Sequence, residues 1–377
     1  MKVCASHSQV AAFRLQRHRL LRPEGGLTPP RAAALAVGLQ AQVMSSAQMA
    51  AGVRSSHLTA CQVDRALWQE RTLVKAWLMR GTLHLIPAGD LAPYVAALTP
   101  LAEKTETRWD RSLGGNGQVR RVVSEIVRLL DYGPMTRDQL ASALESGLTG
   151  DAGDLVRHSW GGLVRLASLQ GLVCFGPNRG RNITFVRTDR WLGRPLPDLR
   201  EHSPSWLAEE FVRAYGPVSA HDYSHWAGVT VGEARKALES VQVRLVQVRL
   251  GEKELFMREE DVDRLERAYM PEDHVALLPA FDPLVLAHKQ KDHLVSPRYY
   301  KRVFRQAGWV SPVVLVSGRV VGTWSLKRWS DRIRLAVSLH ERPAAKVKAG
   351  LEERAASLAR FWGIKEPELV LENSSGP

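Results

Sequence analysis

Two copies of one short pattern restrict this chain more than any other feature. Tyr132-Gly133-Pro134-Met135-Thr136 and Tyr215-Gly216-Pro217-Val218-Ser219 both read Tyr-Gly-Pro-x-Ser/Thr. Each follows an amphipathic stretch, 118–131 in the first copy and 205–215 in the second. Each is followed by a short helix that Thr136 or Ser219 is placed to cap. A second helix is expected near 154–170 and 230–240. Strand-like pairs come next: 172–175 with 183–187 around Gly176-Pro177-Asn178-Arg179-Gly180, and 241–250 with 254–257 around Gly251-Glu252-Lys253. Helix, turn, helix, helix, hairpin is the order of a winged helix.

The segment before residue 112 reads as a third, divergent copy. It has a helix over 9–20, and its wing runs 75–79 into 82–86 with a turn at Arg80-Gly81. Ser112-Leu113-Gly114-Gly115-Asn116-Gly117 has linker composition. A second boundary falls at 190–203, rich in Pro and Arg. Beyond Met270 the pattern changes. Val313–Val316 and Val320–Trp324 flank a Ser317-Gly318-Arg319 turn, 332–339 reads as a strand, and 343–362 as a closing helix. The expected fold class is α+β, divided as 1–112, 113–195, 196–270 and a β-rich α+β domain over 271–377.

With 377 residues the chain is too long for one ordinary core. No apolar run reaches the ~18 residues that a membrane helix needs. Cys4, Cys61 and Cys174 are scattered, with neither a disulfide framework nor a CxxC pair. A cytoplasmic, nucleoid-associated protein is expected. The net charge of +13 favours a polyanionic partner. No Walker loop or GxSxG elbow is present.

The sharpest local feature is Gly38-Leu39-Gln40-Ala41-Gln42-Val43. Residues 28–37 read as a short helix with Thr28 at the N-cap and Pro29 at the first helical position. Gly38 suits the left-handed conformation that ends a helix. In an extended segment, residues two apart share a face. Leu39, Ala41 and Val43 then point one way, and Gln40 and Gln42 the other. Two neutral amides presented together can grip a water or a polar ligand edge. The same letters also suit two solvent-facing glutamines on a connection.

Other positions carry weaker signals. Asn178, Arg179 and Arg181 form a basic hairpin tip suited to a DNA groove or to phosphates, although Asn and Gly are also what a turn demands. His221 and His225 stand four apart on a helix but lack a third ligand, so no metal site is expected. Asp282, with His288, Asp292 and His293 downstream, is a polar cluster, and Asp282 also suits a cap before Pro283.

The stretch Trp68-Gln69-Glu70-Arg71-Thr72-Leu73-Val74-Lys75-Ala76-Trp77-Leu78-Met79-Arg80-Gly81-Thr82-Leu83-His84-Leu85 resembles the tandem winged-helix crosslink-repair DNA glycosylases of the AlkZ/YcaQ type. So do Leu278-Pro279-Ala280-Phe281-Asp282-Pro283 and Gly318-Arg319-Val320-Val321-Gly322-Thr323-Trp324, and the order holds from about Val10 to Trp362. The resemblance implies three winged helices in a C shape around DNA with a β-rich C-terminal part. It implies a catalytic pair written Gln-aliphatic-Gln in the branch associated with self-resistance to DNA-crosslinking natural products. Gln40-Ala41-Gln42 matches that pair, with Ala41 smaller than the usual residue. The expected activity is hydrolysis of the N-glycosidic bond of cationic N7-alkylated purines, bulky adducts and interstrand crosslinks included. Lys75 and Arg80 are expected on DNA beside Asn178, Arg179 and Arg181, with His84 and Asp282 lining the site. The partner is double-stranded DNA, with no membrane, cofactor or metal, and the chain is expected to act as a monomer. The competing reading is a winged-helix regulator or damage sensor without turnover.

Overall fold

The structure is a computed structural model that describes residues 2–112, 115, 117–147, 156–157, 162–203, 205–241, 244–365 and 367–372. The chain divides into two compact units. The first gathers 1–64, 208–226 and 230–377. The second holds 65–207 and 227–229. Among the described residues no helix is long and apolar enough to cross a membrane.

In the second unit, helix Gln118–Leu129 buries Val119, Val122, Val123 and Ile126. That spacing lays one apolar stripe along a helix of 3.6 residues per turn. Helix Arg137–Gly147 begins in a capping box. Gln139 N–H reaches Thr136 Oγ1 at 3.3 Å, and Thr136 N–H reaches Gln139 Oε1 at 2.9 Å. Of the next expected helix, Gly162–Leu169 is observed, while 154–155 and 158–161 lie outside the described residues. Strands Val173–Arg179 and Asn182–Arg187 form the hairpin, and the short strand Met135–Thr136 adds to its second strand. Trp77, Phe175 and Phe185 meet in the core, Trp77 and Phe175 with ring centroids 4.6 Å apart. The N-terminal hairpin is Leu73–Trp77 with Leu83–Pro87, joined by a tight turn over Met79–Gly81.

The second copy of the pattern behaves in the same way. Asp222 N–H reaches Ser219 Oγ at 3.2 Å, and Ser219 N–H reaches Asp222 Oδ2 at 2.9 Å. Helices Ala220–Ala227 and Val231–Glu239 lead to the hairpin Leu245–Leu250/Lys253–Arg258. Residues 242–243 of the expected strand lie outside the described residues. Val218 pairs with Phe256, N–H to carbonyl in both directions at 2.8 and 2.7 Å. In each copy, then, the residue after Tyr-Gly-Pro bonds the second strand of its hairpin. Strand Lys2–Cys4 extends the second hairpin in parallel, Val3 opposite Val248, which the sequence reading did not anticipate.

The C-terminal sheet has five strands: Val275–Leu278, Val313–Val316, Arg319–Arg328, Ile333–Leu339 and Pro367–Glu372. The last runs parallel to its neighbour and the others are antiparallel. The sequence reading missed the first and last strands. Val275–Leu278 is buried throughout, and a four-residue apolar run shows no strand alternation. Helix Ala345–Phe361 covers the sheet, and Gly350 lies so close to Val275 that a Cβ there would stand 2.7 Å from Cγ2.

Candidate active site and nucleic-acid interface

The glutamine segment is built from its backbone upward. Helix Pro29–Leu35 starts behind an extended Thr28, which makes no side-chain capping bond. It ends in a double closure, with Val37 N–H to Ala34 O at 3.1 Å and Gly38 N–H to Ala33 O at 2.9 Å. The left-handed residue that makes this turn is Val37, φ +49°, and Gly38 follows at φ +92°. The positive φ expected at Gly38 is present, and Val37 shares it one residue earlier. A β-branched residue in that region is strained. Leu39–Gln40 is then extended, and helix Met44–Gly52 begins two residues beyond Gln42.

Leu39 and Ala41 are fully buried, and Val43 packs against the core of the first unit. Gln40 is 9% exposed and Gln42 is exposed. The two amides therefore differ. Gln40 is nearly enclosed and has a partner in the fold, and Gln42 reaches solvent.

The frame around this segment comes from distant parts of the chain. Tyr215 donates its hydroxyl hydrogen to Ala36 O at 2.5 Å, and Arg213 Nη2 donates to Ala34 O at 2.7 Å. These bonds fix the end of the helix from which the glutamine strand departs. Beyond helix Met44–Gly52, Arg54 is fully buried and donates to both oxygens of Asp282 and to Ala50 O. Arg54 Nη2 also donates to His18 Nδ1 at 3.2 Å, and His18 Nε2–H donates to Ala214 O at 3.1 Å. Burial, with Arg54, Arg213 and Arg14 nearby, pushes the His18 pKa well down and keeps the ring neutral.

Asp282 was expected to line the site. It is instead fully buried, with both oxygens taken by Arg54 and with Leu284 N–H on Oδ1 at 3.0 Å. Its carboxylate is a brace and a helix cap, out of reach of a ligand.

The remaining candidates lie in the second unit. His84 is 2% exposed and donates from Nδ1 to Thr82 O at 3.0 Å. Burial, reinforced by Arg80, pushes its pKa down to about 3. It too is a core residue where a site-lining one was expected. Lys75 is half-buried, with its ammonium 5.0 Å from the Phe175 ring centroid. Burial pulls its pKa down to about 8. Arg80 is half-buried in a left-handed turn, φ +57°, against the backbone of Gly228.

Asn178, Arg179 and Arg181 are exposed. Arg179 pairs with Asn182 in the ladder, so the tip proper is Gly180-Arg181, with Gly180 at φ +60°. This shortens the turn expected from sequence, because the strands extend past Phe175 through an irregularity between Gly176 and Arg179. Arg179 Nη1 also reaches Gln139 Oε1 at 3.4 Å. Among the described residues no group of three or more His, Cys, Asp or Glu side chains could hold a metal ion.

Sequence reasoning missed Arg54, His18, Arg213 and Tyr215 as the frame of the glutamine segment. Only Tyr215 carried a signal, since it opens the second Tyr-Gly-Pro copy.

Comparison with known proteins gives a consistent result. The family model described as DNA glycosylase AlkZ-like matches residues 33–361. A Streptomyces sahachiroi protein named interstrand DNA cross-link repair glycosylase is 30% identical over 369 residues, covering 96% of this chain and 97% of the relative. The solved structure of Streptomyces sahachiroi DNA glycosylase AlkZ superposes with a TM-score of 0.84 at 28% identity, covering 99% of this chain and all of that one.

Proposed function

From the premise that the chain belongs to the AlkZ-like DNA glycosylase family, we propose that it hydrolyses the N-glycosidic bond of N7-alkylated purines in double-stranded DNA, crosslinked adducts included. The observation that carries this reading is the Leu39-Gln40-Ala41-Gln42 segment. Its apolar residues are locked in the core, one amide is nearly enclosed, and the next is at solvent. The name of the Streptomyces sahachiroi relative supports extending the substrate to interstrand crosslinks.

The chemistry suits two neutral amides. Alkylation at N7 makes the purine cationic, so it leaves with the glycosidic electron pair and becomes neutral without an added proton. The sugar develops oxocarbenium character, and a water adds at the anomeric carbon and releases its proton to solvent. Gln40 and Gln42 hold that water through their carbonyl oxygens and turn those dipoles toward the developing positive charge. No covalent enzyme intermediate is involved, so the enzyme is monofunctional. The two Tyr-Gly-Pro segments with their hairpins, and the N-terminal segment, act as winged helices over 113–195, 196–270 and 1–112. Asn178, Arg179 and Arg181 contact the DNA backbone.

The test is incubation with a duplex holding a single N7-methylguanine, followed by alkali to cleave abasic sites. Parent protein is expected to yield strand breaks at the lesion, and Gln40→Ala and Gln42→Ala to slow excision about 100-fold or more. Folded alanine variants that excise at the parent rate would overturn the assignment of the glutamine pair, whereas a parent protein that binds the duplex and leaves the lesion in place would favour a sensor without turnover.

A further inference from the structure

Within the first unit a concavity of about 580 Å³ is lined by six arginines, Arg17, Arg19, Arg22, Arg213, Arg264 and Arg267. No Asp or Glu lines it among the described residues. The arginines come from the end of helix His7–Arg17 and the segment after it, from helix Val262–Glu266 and the residue following it, and from helix Trp206–Tyr215.

The nearby acids neutralise this charge only in part. Asp261, 2% exposed, serves Arg17, Arg258 and Arg264 at once. Arg19 meets Glu24 at 2.9 Å, and Arg213 meets Glu210 at 2.7 Å. Arg267 is 84% exposed and only 4.0 Å from an equally open Asp263, a pair that adds little. Arg22 is exposed and has no ion pair among the described residues. Burial lowers the Arg17 pKa, Asp261 opposes that, and Arg264 and Arg258 lower it further. Like charges are thus held together at a cost that a bound polyanion offsets. Guanidinium forks suit phosphate oxygens, and Tyr269, 70% exposed, offers a flat face at the rim.

The groove adjoins the glutamine segment through the backbone. Leu35, on its wall, ends the helix from which that segment departs, and Arg213 bonds Ala34 O of the same helix. We infer that this groove binds the phosphate backbone of duplex DNA and seats the strand beside Gln40 and Gln42. The inference rests on the glycosylase reading and adds a contact surface separate from the Asn178–Arg181 hairpin.

The experiment uses the full chain and an undamaged duplex and an N7-methylguanine duplex of equal length, with affinity measured across salt concentrations. Arg22→Ala/Arg267→Ala alters two exposed side chains. It should weaken binding to both duplexes about 10-fold and flatten the slope of log affinity against log salt by about 2, one unit per lost phosphate contact. Lys346→Ala/Lys348→Ala removes the same net charge from helix Ala345–Phe361 and should leave the slope unchanged. An unchanged slope for the arginine pair, or an equal loss for the lysine pair, overturns the groove while excision by the parent leaves the glycosylase reading intact. A parent protein that neither binds nor excises sinks both.

Discussion

Arg54 and Asp282 stand 228 positions apart and meet as a fully buried, doubly bonded pair, Nη1 to Oδ2 at 2.8 Å and Nη2 to Oδ1 at 3.0 Å. Through Ala50 O the same guanidinium holds the helix that begins just after Gln42. It also holds His18 and, through it, the carbonyl of Ala214 on the helix that carries Arg213 and Tyr215.

That pair is expected to be costly to break from one side. Asp282→Ala leaves a buried guanidinium without its counter-charge and should destabilise the first unit by about 3–5 kcal/mol in urea unfolding. Arg54→Met/Asp282→Leu removes both charges and should recover part of that loss. A single variant as stable as the parent would contradict the bracing role.

The exposed hairpin tip gives a second prediction. Arg179→Ala/Arg181→Ala should weaken duplex binding regardless of sequence and flatten the salt slope by about 2. Stability should change by no more than about 0.5 kcal/mol, because both side chains are at the surface. A salt titration superimposable on the parent would remove the tip from the interface.

Local order was legible in the sequence wherever a local rule governs it. Thr136 and Ser219 cap helices because the donor and acceptor lie three residues apart. The Ser317-Gly318 turn was readable because the φ of +80° at Gly318 is one that glycine adopts without strain. The burial of Leu39 and Ala41 was readable through alternation, but the facing of the two amides was not, since Gln40 is buried as well and Gln42 lies exposed in a bend after the short strand Leu39–Gln40. What holds that strand was not readable. Arg54, His18, Arg213 and Tyr215 reach it across long stretches of chain, and no spacing rule links an arginine at 54 to an aspartate at 282. His84 and Asp282 were misplaced for the same reason, because a polar side chain satisfied by distant or backbone partners looks like a site residue until those partners are seen.

The buried His18 and His288 and the half-buried His293 predict how stability follows pH. Burial comes first at His18, His288 and His293, and neighbouring cations add to it, Arg54 and Arg213 at His18 and Arg14 at the other two. All three pKa values lie below the ordinary 6.5, at His293 by enough to reach about 2. In the unfolded chain these rings take up protons near pH 6.5, while in the folded chain they stay neutral. The stabilisation is therefore full above about pH 6.5 and is lost progressively as the pH falls, at up to about 1.4 kcal/mol per histidine per pH unit. Unfolding midpoints in urea should drop between pH 7 and pH 5, and His293→Gln should show a shallower drop than the parent. A midpoint independent of pH over that range would mean that the rings take up protons in the folded protein as readily as in the unfolded chain.

The last prediction separates two roles for Gln42. Its side chain is exposed, so Gln42→Ala should leave unfolding free energy within about 0.5 kcal/mol of the parent. Gln40 is 9% exposed and partnered, so Gln40→Ala should cost about 1–3 kcal/mol as well as activity. DNA affinity should be nearly unchanged in both, since a neutral amide adds little to phosphate binding. Gln42→Asp then distinguishes the chemistry. If Gln42 works through its carbonyl oxygen, orienting water and facing positive charge on the sugar, a carboxylate does both and excision of N7-methylguanine should persist. If it works by donating from its NH2 group, the carboxylate cannot replace it and the Asp variant should be as slow as Gln42→Ala. The proposed mechanism requires the first outcome, read as single-turnover excision at saturating protein. A Gln42→Asp variant that is folded, binds the duplex and is inactive would refute the water-positioning role of the carbonyl.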